Sequence, residues 1–353
     1  MIAVRHPPRG RDRWAAALVG AASAVLLPAC GGDSTTPPAS SPPPFAVVVT
    51  FNTGTSEQLG HDLPPDDGYG SEQALLSDQY YGDGLAWQQV VDDARAFFEG
   101  IDAEVVGFQE IFYSGECESI PAAAHTGFVC ETWQPGARTV AEIVLGEGWQ
   151  VACHLGKTDK CAAVRRSFGS FRGCPDDLCL DGLAGAEVDG CGQGSRIGRG
   201  VIDLVDGGEL TLVNVHGSSG IEQADQDCRM LQFAQVFEDL GDGGGEPAAN
   251  GERNVILGDL NTDPGRMADF DESAQLWNEH VGPDKRFDFI TAVGPDAPAS
   301  YLGMFDIDHV VSDAFVGSCW IAGVTEGHAP VSDVRYFDHK PIVCNLSPPS
   351  SSP

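Results

Sequence analysis

Six short apolar runs in this 353-residue chain begin or end in side chains that can bind a metal, move a proton or grip an anion. Asn52 follows the run 45–51, and Glu110 follows Val105-Val106-Gly107-Phe108-Gln109. His216 ends Leu212-Val213-Asn214-Val215, while Asp259 and Asn261 end Val255-Ile256-Leu257-Gly258. Asp308 and His309 open the run of Val310-Val311, and Asp338 and His339 precede Lys340-Pro341-Ile342-Val343. Carboxylates beside imidazoles are the usual apparatus of general acid–base chemistry. Each residue alone has a plainer explanation: strand ends carry Asx turns, and a lone histidine is more often structural. Their order and local contexts together carry more than any one of them.

The elements that must position these groups are short. Strands are expected over 45–51, 104–109, 200–205, 209–215, 253–257, 307–311 and 341–345, with Asp206-Gly207-Gly208 as a hairpin turn. Helices are expected over 86–98 and 222–240, the second with Cys228, Leu231, Phe233, Val236, Phe237 and Leu240 on its apolar side. The stretches 113–138 and 167–195 read as loop-like insertions stapled by cysteines. Many strands, a few helices and no internal repeat predict one α+β sandwich over 45–347, rather than two domains, with a disordered tail over 348–353.

Composition sets the compartment. Lys and Arg number 20 against 52 Asp and Glu, a net charge of -32. Bulk electrostatics therefore exclude a protein that holds nucleic acid by its own field. Arg5, Arg9, Arg11 and Arg13 precede an apolar run over 14–27, which is shorter than the ~20 residues of a membrane span and reads as a signal peptide over 1–29. Leu27-Pro28-Ala29-Cys30-Gly31 resembles the bacterial lipobox, with Pro28 in place of the usual small residue. The resemblance implies lipidation of Cys30, a Pro/Ser/Thr-rich tether over 30–44, and export with an anchor in the outer membrane or at the cell surface. Without the signal's four Arg and one Asp, the net charge deepens to -35. Ten of the eleven cysteines remain once Cys30 is set aside, and an oxidising compartment makes them partners in up to five disulfides.

The motifs resemble those of the endonuclease/exonuclease/phosphatase superfamily, the deoxyribonuclease I-like enzymes. The matching pieces are Thr50-Phe51-Asn52-Thr53, Gly107-Phe108-Gln109-Glu110, Asn214-Val215-His216, Gly258-Asp259-Leu260-Asn261-Thr262-Asp263-Pro264, Phe305-Asp306-Ile307-Asp308-His309-Val310 and Phe337-Asp338-His339. They occur in family order across the whole predicted domain. The resemblance implies a four-layer α/β/β/α sandwich of two mostly antiparallel sheets, with the site where the two sheets' ends face each other. It implies Mg²⁺, with Mn²⁺ or Ca²⁺ as alternatives, on Glu110 supported by Asn52 and Asp338; Mg²⁺ suits few carboxylates and many waters. Asp259 would position or deprotonate the attacking water and Asn261 would hold it. His216 would donate to a phosphoryl oxygen. His339, oriented by Asp308, would contact the phosphate or transfer a proton. The expected activity is a surface-tethered, metal-dependent phosphoesterase without a covalent intermediate.

Departures narrow the reading. Phe337 stands where the family has Ser before Asp-His, and Ile111-Phe112 lacks the Arg that nuclease-like members carry after the metal-binding Glu. Arg196 and Arg199 are candidates for a second phosphate contact; Lys160 and Arg165 are weaker ones. A calcineurin-like dinuclear enzyme needs Asp-x-His and Gly-Asn-His, and a serine hydrolase needs Gly-x-Ser-x-Gly; none occurs. An inactive binding protein is disfavoured by the intact motif set. The expected substrate is a phosphoester: nucleic acid as for a deoxyribonuclease-like enzyme, a phospholipid as for a sphingomyelinase or phospholipase C-like one, or a small phosphate ester. No apolar hairpin marks a membrane-inserting enzyme, and the chain is expected to be a monomer held at the membrane through Cys30.

Overall fold

The computed structural model describes residues 45–350, apart from 56–75, 78, 83, 155, 175–182, 184, 186, 193 and 335. The expected signal peptide, Cys30 and the tether lie outside the described residues. The described residues form one compact unit. No helix among the described residues is long and apolar enough to cross a membrane.

In chain order the elements are β1 (Ala46–Asn52), α1 (Gln88–Glu99), β2 (Val105–Gln109), α2 (Val140–Leu145), β3 (Trp149–His154), β4 (Lys157–Arg165), β5 (Gly169–Phe171), β6 (Ile197–Leu204), β7 (Glu209–His216), α3 (Gln223–Phe237), β8 (Asn254–Asp259), α4 (Glu272–His280), β9 (Asp288–Phe289), β10 (Asp308–Ser312), β11 (Val316–Ile321) and β12 (Ile342–Ser347). They form two six-stranded sheets, β11-β12-β1-β2-β4-β3 and β5-β6-β7-β8-β10-β9. Among the named strands of the described residues, β1–β2 and β7–β8 pair in parallel and the rest antiparallel. The mostly antiparallel α+β sandwich expected from the sequence is the one observed.

Side-chain alternation with period two builds the layers. On β1, Ala46 and Val48 pack between the sheets, while Val49 and Phe51 pack under α1 and α2. On β7, Leu210 and Leu212 face the first sheet, and Val213 and Val215 lie with Phe233 of α3 and Trp277 of α4. Val255 and Leu257 of β8 face inward, as does Val310 of β10. The order is therefore helices, sheet, sheet, helices. Gly107 permits a close approach: a Cβ there would overlap Leu257 Cδ1 of the facing sheet.

A polar clamp crosses the apolar interlayer. Asn214 on β7 donates its Nδ2 to the carbonyl oxygens of Phe108 and Cys161, both at 3.0 Å, and its Oδ1 accepts from Gln109 Nε2 at 2.6 Å. Every participant is buried.

Helix α3 corrects the sequence reading. Leu231, expected on the buried side, is 54% exposed, while Arg229 is fully buried. Its guanidinium pairs with Asp271 at 2.9 Å and donates to Ser218 O, Gly220 O and Ser273 Oγ. A charge saturated by hydrogen bonds can occupy a core position that an apolar count assigns to leucine.

Disulfides join Cys117–Cys130, Cys153–Cys161, Cys191–Cys228 and Cys319–Cys344. The first closes one insertion upon itself, and the third ties the other insertion to α3. Cys174 is buried and unbridged among the described residues, and Cys179 lies outside them.

Replacing Asn214 by Leu removes three buried hydrogen bonds and takes from the Gln109 amide the acceptor of its Nε2. At roughly 1–3 kcal/mol per buried unsatisfied group, the expected loss is on the order of 3 kcal/mol. A lowered urea midpoint at unchanged m-value is the check.

Candidate active site

The same alternation delivers the polar groups to one pole. On β1 the inward set 46, 48, 50 ends in Asn52; on β7 the set 210, 212, 214 ends in His216; on β8 the set 255, 257 ends in Asp259. β10 starts at this pole with Asp308 inward. His309 falls on the opposite face, where its ring bonds Thr291 Oγ1 and Asp306 O and its pKa is lowered to about 4 by burial. It is structural.

Glu110 and Asn261 break the alternation. Glu110 follows inward-facing Gln109 and would point toward the helices in a continued strand. Instead its φ is 56°, and Asn261 has φ 52°, both left-handed. Asn tolerates this conformation, while Glu adopts it at a cost that sites of chemistry often carry. The turn brings Glu110 Oε1 to 3.2 Å from His216 Nε2. Glu110 Oε2 lies over Gly54 Cα, where any Cβ would collide with it.

Asp259 is the hub. Its Oδ1 accepts from Asn261 N at 2.7 Å, and its Oδ2 accepts from Asn261 Nδ2 and Asn52 Nδ2, both at 3.0 Å. His216 Nε2 and His339 Nε2 stand 3.8 and 3.7 Å from Oδ2. His339 Nδ1 meets Asp308 Oδ2 at 2.7 Å, and Tyr301 packs its ring 4.6 Å from the His339 ring. Asn261 Nδ2 also donates to Gly217 O, joining the loops that follow β7 and β8.

The electrostatics separate the two histidines. Burial would depress His339, but the carboxylates of Asp308 and Asp259 outweigh it and lift the imidazolium to about 10. His216 moves down, chiefly through burial, aided by the cations Arg196 and Lys160 against the pull of Glu110. A neutral His216 that donates from Nε2 to Glu110 leaves Nδ1 as the acceptor, and Nδ1 has no partner. Burial also raises Asp259 to about 7, with Asp308 adding repulsion and His339 opposing. One imidazole is therefore a cation, the other a neutral donor, and the carboxylate between them is poised near neutrality.

Asp259, Asp308 and His339 each bring one ligand atom within 4.8 Å of the others. The Asp308–His339 hydrogen bond engages Nδ1 and leaves Nε2 facing Asp259, so an ion among these three would compete with that pair. Glu110 and Asp338 fit a cation better. Asp338 Oδ1 is buried without a partner, and its carboxyl is raised to about 7 by burial and the charges of Glu110, Asp259 and Asp308, against the pull of His339. A divalent ion would relieve that crowding. Asn52 donates Nδ2 to Asp259 Oδ2, and its Oδ1 accepts from Gly54 N, so it orients Asp259.

Two sequence candidates separate. Arg196 precedes β6, and its carbonyl accepts from His216 N at 2.9 Å; its buried Nε has no hydrogen-bond partner. Arg199 shares the outer face of β6 with Ile197, on the helix side of the sheet and not on the face that carries His216. Lys160, weighted least in the sequence, lies fully buried behind the site with Nζ 2.6 Å from Ser195 O. Gln109 and Asn214 lay inside recognised motifs without an assigned role; their parity with His216 was the available signal. A cleft of about 270 Å³ opens beside Glu110, lined also by Tyr113, Glu116, Lys157, Thr158 and Asp159, and one of about 240 Å³ opens beside His339 and Phe337.

Burial lowers Lys160 to about 7, helped by Lys157 and Arg196 and opposed by Asp159. Its unfolded-state value is 10.5. Between these values the unfolded chain binds the extra proton, so folding stability rises with pH from about 7 to about 10.5. Lys160→Met should flatten that rise in denaturation curves taken across the window.

No protein-family model matches the chain, and no curated protein does. Among solved structures it is similar to the human Nocturnin catalytic domain with bound sulfate anion, at 12% identity, 86% of this chain, 93% of that one and a TM-score of 0.46. It is similar to the Xenopus laevis APE2 catalytic domain at 14% identity, 87% and 94% coverage and a TM-score of 0.45. Beta toxin from Staphylococcus aureus is 14% identical over 85% of this chain and 99% of its own, with a TM-score of 0.45. By its own layers and strand order, the chain has the two-sheet α+β sandwich that its deoxyribonuclease I-like motifs imply, with those motifs converging at one pole.

Proposed function

We propose that the protein is a divalent-metal-dependent phosphoesterase, Mg²⁺ being the ion its oxygen donors suit, which hydrolyses a phosphoester by direct attack of water. The reading is carried by the line Asp308–His339–Asp259: a 2.7 Å pair holds a cationic imidazole whose Nε2 faces a carboxylate poised near neutrality. Glu110 and Asp338 would hold the metal, which when bound supplies charge to stabilise the phosphoryl oxygens.

The chain's own residues do the rest. Asp259, steadied by Asn261 and Asn52, takes the proton of the attacking water as the new P–O bond forms. His339 donates to a phosphoryl oxygen, and Asp308 keeps its Nδ1 protonated. Neutral His216 offers a second hydrogen bond from Nε2 once substrate competes with Glu110. Arg196 lies beside His216 as a cation for the same anion. The ester P–O bond breaks, and the leaving oxygen takes its proton from His339 or solvent. Acid–base groups of this kind contribute roughly 10²–10⁴-fold each.

The lipid anchor at Cys30 and export to a surface are part of the same proposal, supported by the sequence of residues 5–30.

Hydrolysis of bis(4-nitrophenyl) phosphate with Mg²⁺ tests the reading. His339→Ala and Asp259→Asn should each lower kcat by about 10²-fold or more, and EDTA should abolish turnover; activity that survives EDTA rejects the mechanism. Asp308→Asn removes the charge that raises His339, so the alkaline limb of the pH–rate profile should move to lower pH. An unmoved limb rejects the role assigned to Asp308.

A further inference from the structure

The strand directions place the loops after β7, β8, β9 and β11 at the pole that carries the site. Nine large apolar side chains are exposed among the described residues, and six of them, Ile221, Phe270, Val293, Met304, Phe305 and Val324, stand on these loops. Scattered exposed apolar residues are ordinary; a concentration around one mouth marks an interaction surface. Ile221 is 76% exposed, Phe270 65% and Met304 57%. Ile221 and Phe270 come from separate loops that are bound together, since Gln223 Nε2 bonds Glu272 Oε2 and Glu272 N bonds Gln226 Oε1. The segment of Met304 and Phe305 joins them where Asp306 N bonds Asp263 Oδ2.

Charge selects the partner. Three of the four loops, through 217–227, 267–279 and 290–307, contain no Lys or Arg, whereas the loop of Val324 includes Arg335 and Lys340; Glu222, Asp269 and Glu272 beside Ile221 and Phe270 are exposed. The nearby Arg266 is paired with Asp263 at 2.6 Å. Such a rim repels phosphate backbones and anionic bilayers. It suits a surface whose outermost charge is an ammonium and whose interior accepts apolar side chains.

Chain reach permits that contact. β1 runs from Ala46 at the far pole to Asn52 at the site, about 20 Å at ~3.3 Å per residue. The fifteen links from Cys30 to Phe45 can span up to about 50 Å, more than twice that length. A chain anchored at Cys30 can therefore turn this pole toward a bilayer.

We propose that the site-bearing pole docks on a zwitterionic lipid surface, with Ile221, Phe270 and Met304 entering the headgroup layer and Glu222, Asp269 and Glu272 meeting choline-type ammonium groups. The inference deepens the proposed function, on which it rests for bringing phosphoesters to the mouth.

The test uses the full chain as Cys30→Ser, so that no anchor contributes. Sedimentation with phosphatidylcholine vesicles should show binding that weakens when phosphatidylserine is added, and duplex DNA should not bind. The combined variant Ile221→Ser, Phe270→Ser, Met304→Ser should lose roughly tenfold or more in vesicle affinity, with unchanged melting temperature and unchanged turnover of bis(4-nitrophenyl) phosphate. Absent vesicle binding, equal binding by the variant, or preference for phosphatidylserine or DNA overturns the docking proposal. Vesicle binding by a chain that does not hydrolyse the soluble diester sustains the docking and rejects the phosphoesterase reading instead.

Discussion

The clamp of Asn214 on Gln109, Phe108 and Cys161 sets the relation between the two sheets. Burial of apolar faces is itself non-directional, and register between them is set by shape, as where Leu257 seats against Gly107. Hydrogen bonds are directional, and these are sealed in a dry layer where breaking them is expensive. The clamp adds directional hydrogen bonds to that fit and so holds spacing and register together. One residue pair toward the pole, Asn52 from one sheet reaches Asp259 of the other, and that contact inherits its geometry from the clamp. A shift of one sheet past the other would separate Glu110 and Asp338 from His216, Asp259 and Asp308, since the two groups stand on different sheets or the loops leading into them.

Four carboxylates and two imidazoles share a small volume at that pole, and their energetics cannot be assigned one by one. Asp308 lifts His339, His339 restrains Asp259 and Asp338, and Asp259 in turn supports His339. Burial magnifies each of these couplings. The crowding is unfavourable in isolation, and such strain is characteristic of sites built for a charged ligand rather than for stability. Arg229 performs the opposite service nearby: a fully matched buried cation locks the loops after β7 and β8, so that His216 and Asn261 start from fixed backbones.

Much of this was legible in the sequence because it depends on local pattern. The strands of Val48, Val106, Val213 and Ile256 announce themselves by composition, and the polar residues that end them mark the pole. What remained hidden depends on partners distant in sequence. Arg229 occupies a position that periodicity gives to an apolar residue, since its neutralising Asp271 lies on another loop. Lys160 reads as a surface cation until Ser195 O covers its ammonium. Glu110 reaches the site through a left-handed turn that no side-chain type specifies. The apolar rim has no signature in sequence because its members are single residues on separate loops.

The first and last strands are neighbours at the middle of one sheet. β1 pairs with β12 on one side and β2 on the other, through five residue pairs each. The chain enters β1 at the pole remote from the chemistry. A pull that leaves Phe45 outward along the axis of β1 would load both ladders together in shear instead of opening one bond at a time. A domain loaded in this way can be held by its leading segment against drag without the tension reaching the catalytic pole.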